Sequence, residues 1–164
     1  MAKPLPPFQA FLDEHRQPVL SFLRSMVGPD DADDCFQETF IAAMRAYDRL
    51  DGQHPRAWVM TIARHKAIDH HRARARGPEP RAEPPEQASP RANPGADAPD
   101  PELWSAVSEL PPKQRAAIGL RFAGDLAYAE VAVALDCSEE AARRSVHEGL
   151  KRLRGRFAET KEAA

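Results

Sequence analysis

Residues 77–101, GPEPRAEPPEQASPRANPGADAPDP, hold eight of the chain's sixteen prolines and no large apolar side chain. Such a segment cannot bury a core and is expected to stay extended. At ~3.1 Å per residue in polyproline geometry its 25 residues reach roughly 78 Å. The 164-residue chain is therefore expected to fold as two small pieces, 8–76 and 102–157, joined by a long Pro-rich linker, 77–101.

Both pieces read as helix, with no strand pattern and no internal repeat. In the first, Phe8, Phe11, Leu12, Val19, Leu20, Leu23 and Met26 recur at helical spacing until Gly28-Pro29 stops them. Asp30 and Asp31 suit the start of a second helix, where the dipole favours acids. Phe36, Phe40, Met44 and Tyr47 then form one apolar stripe, which Asp51-Gly52 ends. Pro55 to Trp58 restarts a helix on which Trp58, Ile62 and His65 share a face; Trp58 reads as a core residue. The fold class is all-α.

The second piece carries short stripes: Leu103, Val107 and Leu110; Ile118 and Phe122 after Pro111-Pro112; and Tyr128, Val131, Ala132 and Leu135 after Gly124-Asp125. Asp136-Cys137-Ser138 is a three-residue turn, and Ser138 is placed to cap a last helix with Glu139 and Glu140 in its first turn. Two short helices joined by a tight turn suggest a helix-turn-helix. Projected at ~100° per residue from Ala142, the residues Ala142, Val146, Leu150 and Leu153 fall within ~0–80°. Arg143, Arg144, His147, Lys151 and Arg154 fall within ~100–200°. One side packs, and the adjacent cationic side is suited to guanine edges and phosphates.

Net charge is −2, so the chain is not a globally basic nucleic-acid coat. The charge is segregated. Asp30, Asp31, Asp33, Asp34 and Glu38 run without a basic residue between them. Arg64, Lys66, Arg72, Arg74 and Arg76 face only Asp69 in their stretch, and the six cations from Arg143 to Arg156 face only Glu148. Cys35 and Cys137 lie far apart with no metal spacing, so no disulfide scaffold, metal site or cofactor is expected. No apolar run approaches a membrane helix and the N-terminus lacks a signal pattern, which points to a soluble cytoplasmic protein with no membrane insertion.

Three blocks, DDCFQETF (33–40), RAWVMTIARHKAID (56–69) and ELPPKQRAAIGLRFAGDLAYAEVAVALDCSEEAARRSVHEGLKRLR (109–154), occur together in one order. In that combination the chain resembles bacterial extracytoplasmic-function sigma factors, the small sigma-70 relatives that keep only regions 2 and 4. The resemblance covers nearly all of 8–157. It implies that 8–76 is region 2, which binds core RNA polymerase and reads the promoter −10 element. It implies that 102–157 is region 4, which reads the −35 element, and that the chain catalyses nothing. Carried over to this chain, the polymerase contacts are Asp33, Asp34, Gln37, Glu38 and Phe40. The −10 contacts are Arg56, Arg64, His65 and Arg72, and the −35 contacts are Glu140, Arg143, Arg144, His147 and Lys151. His65 stands where relatives often carry Asn, and Asp136 where the turn usually carries Gly; Asp tolerates a left-handed backbone at some cost. Relatives are often held inactive by an anti-sigma factor, a partner no single residue here demonstrates.

Two other readings stand beside this one. An autonomous helix-turn-helix regulator would need only the second piece and leaves the acidic helix and the linker unexplained. A metal-dependent phosphodiesterase would draw oxygen ligands from Asp30, Asp31, Asp33, Asp34 and Glu38, or use His65 and Asp69. Clustered acids at a helix start are usually caps. His70 and His71, beside arginines at a helix end, are expected to be solvated.

Overall fold

Local signals place the helix boundaries. Gly28, at φ +84°, ends α1 (Phe8–Val27) in a conformation that a side chain would strain, and Pro29 opens α2 (Pro29–Ala46). A short 3₁₀ turn, Tyr47–Arg49, leads away from α2, and α3 runs from Pro55 to Arg76. The computed structural model describes residues 4–50, 52–76 and 100–163. The expected linker, apart from Asp100 and Pro101, lies outside the described residues, as does Asp51.

Asp100 caps α4 (Pro101–Ser108), its Oδ1 accepting the Glu102 N–H at 2.9 Å. α5 (Pro112–Ile118) passes into a π-helical turn, Gly119–Ala123. α6 (Tyr128–Leu135) ends on Asp136, which sits at φ 53°, ψ 53° in the left-handed region that glycine favours. Ser138 then caps α7 (Glu139–Ala163), its Oγ accepting the Ala141 N–H at 3.1 Å. Every regular element among the described residues is helical.

α1, α2 and α3 pack on one another around Phe11, Phe22, Leu23, Val59 and Met60. At one end the Phe8 and Phe11 rings stack, Tyr47 meets Phe8 edge to face and Phe11 at a tilt, Trp58 adds its edge to Phe11, and the Tyr47 hydroxyl donates to the Pro6 carbonyl. His15 is buried against Phe11, ring centroids 4.6 Å apart, and among the described residues neither ring nitrogen has a hydrogen-bond partner. Burial lowers its pKa; Glu14 opposes that shift and Arg56 adds to it.

In the second half, Ala106, Val107, Leu110, Ile118 and Leu153 form a separate small core under α4 and α7. The remaining buried residues there, among them Leu120, Leu126, Val131 and Val146, are continuous with the core of α1–α3. The two halves thus meet directly. α3 lies along α6, and α1 packs on the π turn. Small residues allow the approach: Ala63 and Ala67 on α3 and Gly119 in the turn are fully or nearly fully buried.

Four sequence expectations are corrected. Met44 is 56% exposed, because α2 continues to present solvent on that side after Phe40 has turned inward. Leu103 and Phe122, at 40% and 57%, are also exposed; the π turn shifts Phe122 out of the face that Ile118 buries. With Val107, Ile118, Leu150 and Leu153 they line an apolar groove of about 470 Å³. His70 and His71 are not merely solvated. His70 Nε2 lies 3.1 Å from Asp31 Oδ2, which Arg74 also meets at 2.9 Å, and His71 Nε2 lies 2.7 Å from the Met26 carbonyl. These contacts tie the end of α3 to the α1–α2 corner.

Candidate nucleic-acid interface

The projected seam of α7 is the buried one. Ala142, Val146 and Leu153 are buried and Leu150 is half-buried, while Gly149 packs against Ile118, whose Cδ1 would lie 2.4 Å from a Cβ built there and would have to shift to admit one. The other face holds Glu140, Arg143, Arg144, His147 and Lys151, all exposed. Arg143 donates to Glu139 at 2.7 Å, and Arg144 lies 3.7 Å from Glu140. Both are exposed i, i+4 pairs, worth little to stability and easily exchanged for another anion. The Arg143 guanidinium also stands 4.5 Å over the Tyr128 ring, and Arg121 stands 4.9 Å from the same ring. Tyr128, read from the sequence only as part of an apolar stripe, therefore positions Arg143 from α6. An aromatic residue at the start of the first helix of the pair was the available signal.

α3 divides its candidates. His65 and Arg72 are exposed on one side of the helix, seven residues and about two turns apart, with Asp69 between them. Arg56 is half-buried near the start of the helix, beside His15. Arg64 faces another way: it lines a cavity between α3 and α5, and its Nε is buried without a hydrogen-bond partner among the described residues. His65 and Arg72 are thus presented to a ligand outside the molecule, and Arg64 is not.

On α2, Asp33, Asp34, Gln37 and Glu38 are exposed, and Ile41 and Met44 continue the same side at 46% and 56%. An acidic strip running into an exposed apolar patch suits a basic, partly apolar helical partner. Phe40 does not belong to that surface. It is 5% exposed and packs on Phe36 and Phe8, so it holds the helix in place. Asp31 is likewise engaged, by His70 and Arg74. Cys35, between the strip and the core, has its thiol pushed up to about 11 by burial and then by Glu38, Asp31 and Asp34. Among the described residues no three His, Cys, Asp or Glu side chains gather as a metal site would require, and no helix is long and apolar enough to cross a membrane.

Two family models match the chain. Sigma-70 region 2 covers residues 11–77 and Sigma-70 region 4 covers 101–153. Similar proteins include the ECF RNA polymerase sigma factor SigX of Bacillus subtilis (strain 168), 30% identical over 90% of this chain and 81% of its own length. SigF of Caulobacter vibrioides, also an ECF RNA polymerase sigma factor, is 34% identical over 83% and 76%. Among solved structures, the sigma factor RpoE bound to the anti-sigma factor NepR from Bartonella quintana matches with a TM-score of 0.72 at 24% identity, over 90% of this chain and 94% of that one. CnrH in complex with the cytosolic domain of CnrY matches with a TM-score of 0.67 at 22% identity, over 92% and 87%. These two establish likeness of fold.

Proposed function

Because this chain belongs to the extracytoplasmic-function sigma factors, which are initiation factors and not enzymes, we propose that it binds core RNA polymerase and directs promoter-specific transcription initiation in the cytoplasm. The observation that carries this reading is that one chain presents an exposed acidic and apolar face on α2 and a separate exposed cationic face on α7. A polymerase-docking element and a duplex reader are different chemistries, and a free-standing DNA-binding regulator has no use for the first.

In this reading residues 8–76 form region 2, 77–101 the connection and 102–157 region 4. Asp33, Asp34, Gln37 and Glu38 meet the polymerase, with Phe40 as their internal support. His65 and Arg72 meet the single strand of the −10 element, together with Arg56, and Arg64 joins them only when the halves separate. Glu140, Arg143, Arg144, His147 and Lys151 enter the major groove at the −35 element.

The packed arrangement and the DNA impose different distances. α7 lies on α6 and α6 on α3, a stack of about 20 Å from axis to axis. Elements separated by about 17 base pairs lie ~58 Å apart along a duplex. Loading on a promoter therefore requires the halves to part. A similar sigma factor has been solved in complex with an anti-sigma factor, and an anti-sigma partner that holds the halves together fits this requirement.

Co-elution of the full chain with bacterial core polymerase tests the reading, with Asp33→Ala/Asp34→Ala as control. A stoichiometric complex that the double variant loses supports it. A folded chain that forms no complex returns the weight to an autonomous helix-turn-helix regulator.

A further inference from the structure

A cavity of about 480 Å³ lies between α3 and the start of α5, and its charged lining comes from basic residues. Arg64 and His71 come from α3, Lys113 and Arg115 from α5, and among the described residues no carboxylate lines it. Three permanent cations without a counter-ion are unfavourable in a half-enclosed space. Two of them also leave hydrogen-bonding capacity unused: the Nε of Arg64 and the Nε of Arg115 are buried and have no acceptor among the described residues. Among the described residues Arg115 donates only a long bond, 3.4 Å, from its terminal nitrogen to the Leu110 carbonyl. His71 is already held by the Met26 carbonyl and adds a polar wall. Ile68 and Leu135 supply apolar walls.

We propose that this cavity is an anion site for a small phosphorylated molecule, its phosphoryl oxygens taken by Arg64, Arg115 and Lys113 and its organic body lying against Ile68 and Leu135. A planar guanidinium matches phosphoryl oxygens in a two-point bond, and two guanidiniums from different helices match a group with several oxygens. The volume falls in the usual range for small-ligand sites, roughly 300–1,000 Å³. Burial also lowers the Arg115 pKa, the direction an absent counter-ion leaves uncorrected. Because α3 and α5 belong to different halves, a bound anion would bridge them. The assignment is independent of the promoter reading, since binding to the isolated chain involves neither polymerase nor DNA.

Calorimetric titration of the full chain with pyrophosphate and with ATP, both without magnesium and at ionic strength fixed with sodium chloride, tests it. The expected result is one molecule bound per chain, ATP tighter than pyrophosphate. Arg115→Gln and Lys113→Gln should each weaken binding about tenfold or more, whereas Arg143→Gln/Arg144→Gln should leave it unchanged. Lys113 is exposed, so its variant folds even if the Arg115 variant does not. Absence of binding by both probes overturns the site. So does binding that survives Lys113→Gln or that depends on Arg143 and Arg144, which would mark a non-specific response of the α7 face.

Discussion

Gly119 and Ser25 touch across the boundary between the two halves: a Cβ on Gly119 would lie 2.5 Å from the Ser25 hydroxyl and 3.1 Å from the Phe22 ring. Ser25 cannot easily turn aside, because it is buried and donates to the Phe22 carbonyl. Gly119→Ala should cost about 1–3 kcal/mol through overpacking. The strain falls between halves that each keep their own helices. Small-angle scattering should therefore show the variant more expanded than the parent at unchanged helical circular dichroism. A variant that melts early yet stays as compact as the parent would show that the contact serves only local packing.

The exposed end of α2 yields a second expectation. Ile41 is 46% exposed and follows the acids Asp33, Asp34 and Glu38 along the same side. Burying such a side chain in an interface is worth about 1.5–3 kcal/mol. Ile41→Ser should weaken polymerase binding roughly tenfold or more, while thermal stability changes by no more than about 0.5 kcal/mol. Undiminished affinity in a competition binding assay would remove Ile41 from the docking surface.

Substituting Arg144 tests whether DNA reading can be lost without polymerase binding. Its partner Glu140 stands 3.7 Å away, and both side chains are largely exposed, so the pair contributes little to folding. A guanidinium reading a base edge is worth about 1–3 kcal/mol. Arg144→Ala should cut promoter-specific transcription by about five- to a hundredfold with co-elution unaffected. Equal loss of both would refute the division of labour between α2 and α7.

What could be read beforehand was local. The seam of α7, the Ser138 cap, the Gly28-Pro29 break and the left-handed Asp136 each depend on neighbours within a few residues, and each stands where its chemistry puts it. The joining of the halves was not legible. It runs through Ala63, Ala67, Ala116 and Gly119, whose small side chains carry almost no periodic signal yet permit the closest approach. The same holds for the site residues. Exposure of Arg143, Arg144, His147 and Lys151 follows from one helix projected alone. The inward placement of Arg64 depends on α5, which lies about fifty residues further along the chain. Phe40 packs inward as its stripe suggested, which removes it from the polymerase contacts the resemblance implied, while Met44 departs from the stripe, because α2 packs on α1 and α3 with only part of it.

His15 gives the molecule a pH dependence whose sign is set by burial. Its ring is enclosed, neither nitrogen is hydrogen-bonded among the described residues, and Glu14 Oε2 stands 4.0 Å from Nε2. Burial makes the folded state disfavour the proton, so its pKa lies below the ordinary 6.5, with Glu14 working against that shift and Arg56 with it. The unfolded chain binds the proton more readily, and stability therefore rises with pH wherever the two states differ in protonation. Above about pH 6.5 both states are neutral at this position and its contribution is fully present. It erodes as pH falls through 6.5 toward the lower folded value, at no more than about 1.4 kcal/mol per pH unit. His15→Leu removes the titration and keeps an apolar side chain against Phe11. Urea denaturation between pH 7 and pH 5 should show the parent losing stability faster than the variant, the other five histidines being common to both. Parallel curves would mean that the ring finds a partner, or water, when it takes up its proton.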